Sequence, residues 1–380
     1  MSFFKQVYMD SKIATISIIE PVGGHGGMDY YCYGLAYGLG KNNVKVDYYT
    51  SDVTNIRDFE NVETIFTFFN LWKRGTIGKV FEYVKGHLRA FKQIKKKGNK
   101  IIHLHFFSFR LIDLLILTLA KRSKFKIVVT VHDVNSFHRN SNNIIERVSY
   151  SLIDHVIVHN ESSNKSLEEK GHISSPVSII PHGNYLPFIN KIDYSGYSGG
   201  VFNLLFFGQI KKVKALDLLI RAVSIVKSRG YAVNLTIAGK AWKSDLEEYT
   251  NLISELKIED VVSTNFSFIP DDEIENYYSA AHLCVLPYKE IYQSGVVLLT
   301  MSYGVPLLCS DLPAFADIIS DSENGFLFES QNVDSLAERI IWIIDNNEYL
   351  GSTVKNANEL IFGKFNWVEI GKKTLLAFQN

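Results

Sequence analysis

Four segments combine residue types and spacing that suit work on an anionic ligand. The first is Gly23–Gly27, GGHGG, which follows a β-branched run and opens a helical stretch. Four glycines in five residues let a backbone approach a ligand closely, and the amides of a helix start favour an anion. A phosphate or diphosphate is one reading; a tight strand-to-helix turn is the other. The string is not G-x-G-x-x-G with an acid about twenty residues on, so no nicotinamide fingerprint is met. The second segment is His132–Asp133, which closes KIVVTVHD. A polar pair at the carboxyl end of a buried strand points to where doubly wound sheets bind ligands. A histidine there can donate a hydrogen bond or move a proton, or be a satisfied structural residue. The third is the loop holding Lys211, Lys212 and Lys214, between a strand and an amphipathic helix. Cations beside a helix start suit a diphosphate, and a solvated basic loop has the same composition. The fourth is Ser294–Gly295, where a helix begins; its first amides attract phosphate, or Ser294 is simply an N-cap.

Other matches carry less. His103 and His105 (HLH) end a strand too, and with nothing else nearby to suggest a metal they read as structural or peripheral. Gly196–Gly200, GYSGG, fits the letters of a hydrolase elbow around Ser198, but a polar linker precedes it and a strand follows. H-E-x-x-H, the Walker A loop and C-x-x-C are absent, and no Asp-x-Asp offers itself to a metal bridging a diphosphate.

These segments need a frame. Strand patterns fall at Lys12–Ile19, Val44–Tyr49, Ile101–Phe106, Ile127–His132, Val156–His159 and Ser178–Ile180, with helices at Met28–Leu39 and Leu111–Ala120. A second series runs Asn203–Phe207, helix Leu216–Arg229, Asn234–Ile237, helix Lys243–Leu256, Leu283–Leu286 and Pro306–Cys309. Short apolar runs alternating with helices predict α/β architecture with parallel sheets covered on both faces. Ile189–Gly200, ending in glycines and serines, reads as a linker between two doubly wound domains.

Composition bounds the rest. A chain of 380 residues exceeds one hydrophobic core, and 46% apolar with 13% aromatic content excludes disorder. Forty basic residues balance forty acidic ones, which argues against a dedicated nucleic-acid binder. Cys32, Cys284 and Cys309 are too few and too scattered for a disulfide framework or a zinc site, so they read as buried residues of an intracellular protein. The polar N-terminus shows no secretory pattern, and the longest apolar run, Leu111–Ala120, is too short to span a bilayer.

Taken in order, these segments resemble the retaining GT-B glycosyltransferases of family 4 over nearly the whole chain. Gly26–Ala36 looks like the family's glycine loop and first helix, Thr130–Asp133 (TVHD) like its His-Asp strand end, and Ile180–Asn184 (IPHGN) like its I-P-N-G turn. Phe206–Leu219 looks like the F-x-G-x-(basic loop)-K-G-x-D-x-L signature; Ala238–Gly239, Tyr278–Pro287, Gly304–Pro306, Ser310–Asp311 and Asn324–Phe328 follow in place. The sequence departs from the family at Gln209, usually basic, at Ala215, usually glycine, and at Ile291 and Leu299, where a Glu-x7-Glu pair is usual. The resemblance implies a GT-B fold of two Rossmann-like domains facing a cleft: 1–188 on the acceptor side, 201–355 for the nucleotide sugar, and 356–380 as a helix crossing back. It implies transfer from a nucleotide-sugar donor without metal or other cofactor. Lys214 and the amides at Gly295–Val297 and Gly27 would hold the diphosphate, with Gly26, Gly208, Gln209, Lys211, Ser294 and Val296 around it. Phe268 and Ile269 would meet the base, His132 would line the sugar pocket, and Glu290 and Thr300 are the polar groups nearest the lost glutamates. No protein general base is named.

Lys73–Lys100 holds ten basic residues against Glu82 alone, with Ile77, Val80, Phe81, Val84, Leu88, Phe91 and Ile94 at helical steps. That is an amphipathic basic helix, either packed on its domain or laid on anionic lipid through Arg89, Lys92, Lys95 and Lys96. On the lipid reading the protein is cytoplasmic, peripheral on the inner face of the membrane, and its acceptor is a polyprenyl-diphosphate-linked saccharide of a surface polysaccharide. Two rivals stay open: another GT-B enzyme, with a soluble acceptor or acting as an epimerase or phosphorylase, and a catalytically inactive GT-B protein acting as a binding or partner subunit. The lost glutamates and Gln209 keep the last one alive.

Overall fold

β-Branched and aromatic runs build the strands, and the helices between them bury one face each. A computed structural model describes residues 13–24, 27–132, 134, 143–171, 173–190, 194, 196–241, 246–291 and 295–379. The first sheet comprises β1 (Thr15–Ile19), β2 (Lys45–Ser51), β3 (Val62–Phe68), β4 (Ile101–Phe106), β5 (Lys126–Val131), β6 (His155–Val158) and β7 (Val177–Ile179). All pairs are parallel, in the order β3-β2-β1-β4-β5-β6-β7. Its connections carry α1 (Gly27–Lys41), α2 (Thr76–Lys97), α3 (Leu111–Arg122), α4 (Asn143–Ser151) and α5 (Glu161–Lys170). The second sheet comprises β8 (Phe202–Phe207), β9 (Val233–Ala238), β10 (Val262–Asn265), β11 (Leu283–Leu286), β12 (Leu307–Ser310) and β13 (Phe326–Phe328), parallel in the order β10-β9-β8-β11-β12-β13. Helices α6 (Leu216–Ser228), α7 (Leu246–Glu255), α8 (Ile274–Ser279), α9 (Gly295–Ser302) and α10 (Pro313–Ala316) join these strands; α11 (Val333–Asp345), α12 (Tyr349–Phe362) and α13 (Trp367–Gln379) follow. In each sheet the strand order reverses once, beside β1 and beside β8. Such reversal points open ligand crevices at the carboxyl ends of the strands.

The apolar runs at the centres of the sheets match the elements that form. The strands with no counterpart in the apolar pattern are β3, β10 and β13, and all three lie at sheet edges. β3 and β10 are largely half-exposed and need no continuous apolar run, whereas β13 (FLF) is apolar but only three residues long.

The chain forms two units, Met1–Gly183 with Lys364–Asn380, and Asn184–Gly363. The segment after Gly183 belongs with the second unit: Asn184 Nδ2 donates to the Ile361 carbonyl (2.7 Å), and the Tyr185 amide donates to Ser302 Oγ (3.0 Å). In the first unit α13 packs on α1, and glycine makes that approach possible. A Cβ at Gly34 would lie 2.1 Å from Trp367, one at Gly38 2.0 Å from the Trp367 carbonyl, and one at Gly183 2.2 Å from its ring. Trp367 is 1% exposed. Asn42 Nδ2 ties the helices further, donating to the carbonyls of Gly38 (2.7 Å) and Val368 (2.9 Å).

Candidate functional site

In the second unit the carboxyl end of β8 meets the lysine loop and the start of α9. Gly208 follows β8 with φ +105°, a left-handed value that favours glycine. A Cβ there would fall 3.2 Å from Val296 Cγ2 and 3.4 Å from Lys214 Nζ. Gly239, after β9, is needed for the same packing, since its Cβ would lie 2.0 Å from the Gly208 carbonyl. Lys214 extends over the Tyr288 ring at 5.0 Å, and among the described residues it has no carboxylate partner. Burial pushes its ammonium down to about 7, and the Lys211 charge pushes the same way. Ala215, where the family has glycine, takes φ +47° to turn the chain into α6, a conformation that costs a side chain about 1 kcal/mol. Lys212 faces outward to Glu248 (3.5 Å). Gln209 and Lys211 are half-buried in the same loop.

The other donor-side expectations fall as follows. Gly295 begins α9, and a Cβ on it would come within 2.7 Å of the Tyr185 hydroxyl, so a larger residue there would have to push that ring aside. Val296 and Val297 form the first turn with it. Phe268 is 68% exposed and Ile269 is buried, both just past β10. Glu290 is exposed. Thr300 differs from its expectation: it is fully buried, with its hydroxyl between Tyr278 Oη (3.3 Å) and Cys284 Sγ (3.5 Å), facing the core of its own unit. Gly26, Asp133 and Ser294 lie outside the described residues.

In the glycine loop of the first unit, the amides ahead of Gly26 and Gly27 are taken by carboxylates of the chain. The amides of Val22 and Gly23 donate to Glu20 (2.8 and 2.9 Å), and that of Gly24 donates to Asp29 (2.6 Å). Gly23 and Gly24 have φ of +39° and +63°, and Cβ atoms there would strike Thr54 Oγ1 (2.2 Å) and the Val53 carbonyl (2.3 Å). These glycines serve close packing, and carboxylates of this chain take their amides. Gly27, exposed at the start of α1, is the described loop glycine still placed for a ligand. Burial raises the Glu20 carboxyl to about 7 against its two amide bonds and with help from Asp29.

Along the carboxyl edge of the same sheet stands a row of histidines. His105 is on β4, while His132, His159 and His182 follow β5, β6 and β7. His105 Nδ1 lies 3.3 Å from His132 Nε2, His132 Nδ1 lies 3.1 Å from His159 Nε2, and His159 Nδ1 lies 2.9 Å from the Ile180 carbonyl. The buried Tyr31 ring meets His105, His132 and His159 edge-on at 5.5, 4.8 and 5.2 Å. Half-exposed Phe107 stacks on His132 at 5.1 Å. Burial holds His105 and His132 well below the usual imidazole value and His159 at about 3, with the neighbouring imidazoles adding to each effect. His105 is therefore a partner of His132, not peripheral. The signal was in the sequence: successive strands end in histidine, but only the order β4-β5-β6-β7 makes them neighbours.

Helix α2 exists over Thr76–Lys97, yet its apolar stripe divides. Ala90, Phe91 and Ile94 are buried, whereas Ile77 (88% exposed), Val80, Phe81 and Leu88 face solvent. In the first half the inward face holds Glu82, Gly86 and His87 instead. Gly86 admits the Phe68 ring, and Glu82 accepts from the Phe69 amide (3.1 Å) and pairs with Arg74 and Arg89. Arg89, expected on a lipid face, is tied to Glu82 and to the Thr67 carbonyl (2.9 Å). Lys92, Lys95 and Lys96 are exposed. Among the described residues no helix is long and apolar enough to cross a membrane.

Known proteins align with this geometry. The family described as Glycosyltransferase Family 4 matches residues 25–184, and Glycosyl transferases group 1 matches residues 195–360. An uncharacterised glycosyltransferase of Methanocaldococcus jannaschii is 24% identical, with 97% of this chain and 98% of that protein covered. Sucrose-phosphate synthase from Thermosynechococcus elongatus superposes with a TM-score of 0.74 at 20% identity, covering 96% of this chain and 98% of that one. HepE of Anabaena, solved in complex with UDP-glucose, does so at 0.72 and 16%, covering 96% and 99%. Two parallel sheets in the GT-B arrangement, and family matches to both halves, lead to one assignment: the chain belongs to the GT-B glycosyltransferases of the family 4 type.

Proposed function

We propose that this glycosyltransferase moves a sugar, with retention, from a nucleotide-sugar donor to a polyprenyl-diphosphate-linked saccharide, in assembly of a surface polysaccharide. The carrying observation is the convergence of Lys214 Nζ, Gly208 and Val296 at the β8 reversal point. A departing nucleoside diphosphate gains negative charge as the glycosidic bond breaks. An ammonium without a carboxylate partner among the described residues, beside the first amides of α9, is preorganised for that charge. Gln209 and Lys211 flank the same loop, Phe268 and Ile269 border the place for the base, and His132 is assigned to the sugar. No metal has a part in this reading. HepE holds UDP-glucose, and the same class of donor is assigned to this chain.

The acceptor assignment rests on α2. Exposed Ile77, Phe81 and Leu88 share its outer face with Lys85, Lys92, Lys95 and Lys96. Apolar side chains among lysines match an anionic lipid surface, which supports peripheral attachment at the inner face of the membrane. A second reading, an inactive partner subunit, draws on Thr300 being sealed in the core while Ile291 and Leu299 stand at the positions of the family's glutamates. Thermal melting with UDP, GDP, ADP and their sugar conjugates, without metal, decides between them. Ligand at a hundred times Kd stabilises the native state by about 2.7 kcal/mol. A shift confined to one base class supports the transferase; no shift with any of them favours the partner subunit.

A further inference from the structure

The histidine row has a defined polarity. The Ile180 carbonyl can only accept, so His159 Nδ1 carries the proton of the 2.9 Å bond. A neutral imidazole holds one ring proton, so His159 Nε2 presents a lone pair. The 3.1 Å bond then requires His132 Nδ1 to donate, and His132 Nε2 is left as an acceptor. The 3.3 Å bond in turn requires His105 Nδ1 to donate. His105 Nε2, buried and without a hydrogen-bond partner among the described residues, ends the series with an unmet lone pair. The opposite tautomer of His132 would set two lone pairs against each other at 3.1 Å. One main-chain carbonyl thus determines the state of three side chains.

We propose that His159 is a positioning residue that fixes His132 with its proton on Nδ1, so that His132 Nε2 meets a sugar hydroxyl as a hydrogen-bond acceptor. The contact to His105 is the longer of the two made by His132, and it is the one a hydroxyl replaces. Phe107 on one ring face and Tyr31 edge-on keep the imidazole in place during that exchange. His132 then selects a substrate group able to donate a proton, such as a free hydroxyl, over one that only accepts. This rests on the reading of His132 as the residue facing the sugar, whereas the tautomer itself rests on the hydrogen-bond geometry of neutral, buried imidazoles.

The test uses the full chain with 15N-labelled histidine, long-range proton–nitrogen correlation spectra, and single His→Gln variants for assignment. In the native protein His132 should show a protonated Nδ1 and an unprotonated Nε2. His159→Phe should shift His132 toward the Nε2-protonated form and lower kcat about tenfold, the worth of one hydrogen bond, with donor KM nearly unchanged. His159→Gln, whose amide oxygen can stand in for Nε2, should restore the tautomer and most of the turnover. A native His132 protonated at Nε2, or one unmoved in both variants, overturns the proposal. A tautomer that shifts in His159→Phe without any loss of turnover overturns instead the assignment of His132 to the sugar, and the positioning role with it.

Discussion

Lys214 offers a prediction whose size follows from its surroundings. Its ammonium is held at about 7 by burial first and Lys211 second. The fraction charged is then about 90% at pH 6 and about 10% at pH 8. A diphosphate oxygen at roughly 4 Å interacts with that charge by about 4 kcal/mol at an effective dielectric of 20. That is worth about three pKa units, enough to return the lysine to its ordinary range in the complex. The empty site therefore takes up a proton as the donor binds. Affinity for a nucleotide sugar should fall about tenfold between pH 6 and pH 8, with uptake of about 0.1 proton per site at the lower pH and about 0.9 at the higher. Calorimetry with UDP-glucose in buffers of different ionisation enthalpy reads both quantities, and the diphosphate diester keeps its charge across this range. The histidine row stays neutral throughout, because burial holds His159 at about 3 and His182 at about 4. Glu20 titrates near the same pH but in the other unit, so Lys214→Met is the control: it should bind more weakly at pH 6 and show no slope. Equal affinity at both pH values in the native protein, with an enthalpy independent of buffer, would refute the diphosphate site at Lys214.

Three further outcomes follow from the structure. Glu20 is raised to about 7 in the fold, above its unfolded value near 4.5, so the native state binds more protons than the unfolded state between those limits. Stability should decline by up to about 3 kcal/mol as pH rises from 4.5 through 7, and Glu20→Gln should flatten that decline in urea titrations. Trp367→Ala empties the slot lined by Gly34, Gly38 and Gly183 and should cost roughly 3–5 kcal/mol, seen as a lower denaturant midpoint with an unchanged slope. Replacing Lys92, Lys95 and Lys96 by glutamine should weaken binding to phosphatidylserine vesicles about a hundredfold, at about 1 kcal/mol per lysine, and leave neutral vesicles unaffected; unchanged binding would remove the lipid surface from α2.

What the sequence discloses depends on whether a residue's partner is near it in the chain. β4 and β11 form over the residues where their apolar runs lie, because a strand buried on both faces writes its own pattern. An edge strand such as β10, VSTN with none of its residues buried, writes none. Helix α2 was legible as a basic amphipathic helix, but not which half of its apolar stripe packs. Gly86 and the Phe68 ring decide that, and they come from different elements. Thr300 shows the same limit within one turn: one position past Leu299 on α9, its hydroxyl reaches Tyr278 and Cys284 instead of a ligand.

The glycine loop is the sharper case, because its partners were in plain view. GGHGG after a strand has one composition whether its amides point at a ligand or are consumed by the protein. Glu20 and Asp29 flank the string, and buried carboxylates seek the same donors as a phosphate would. With the amides of Val22, Gly23 and Gly24 committed to those two acids, an anion at those amides would have to displace a carboxylate. Lys214 has no such rival among the described residues. The two loops, equally suggestive as text, thus differ in the quantity that governs anion binding: how much positive potential the fold leaves uncompensated. By that measure the end of β8, with Lys214, suits an anion better than the amides of Val22, Gly23 and Gly24 do.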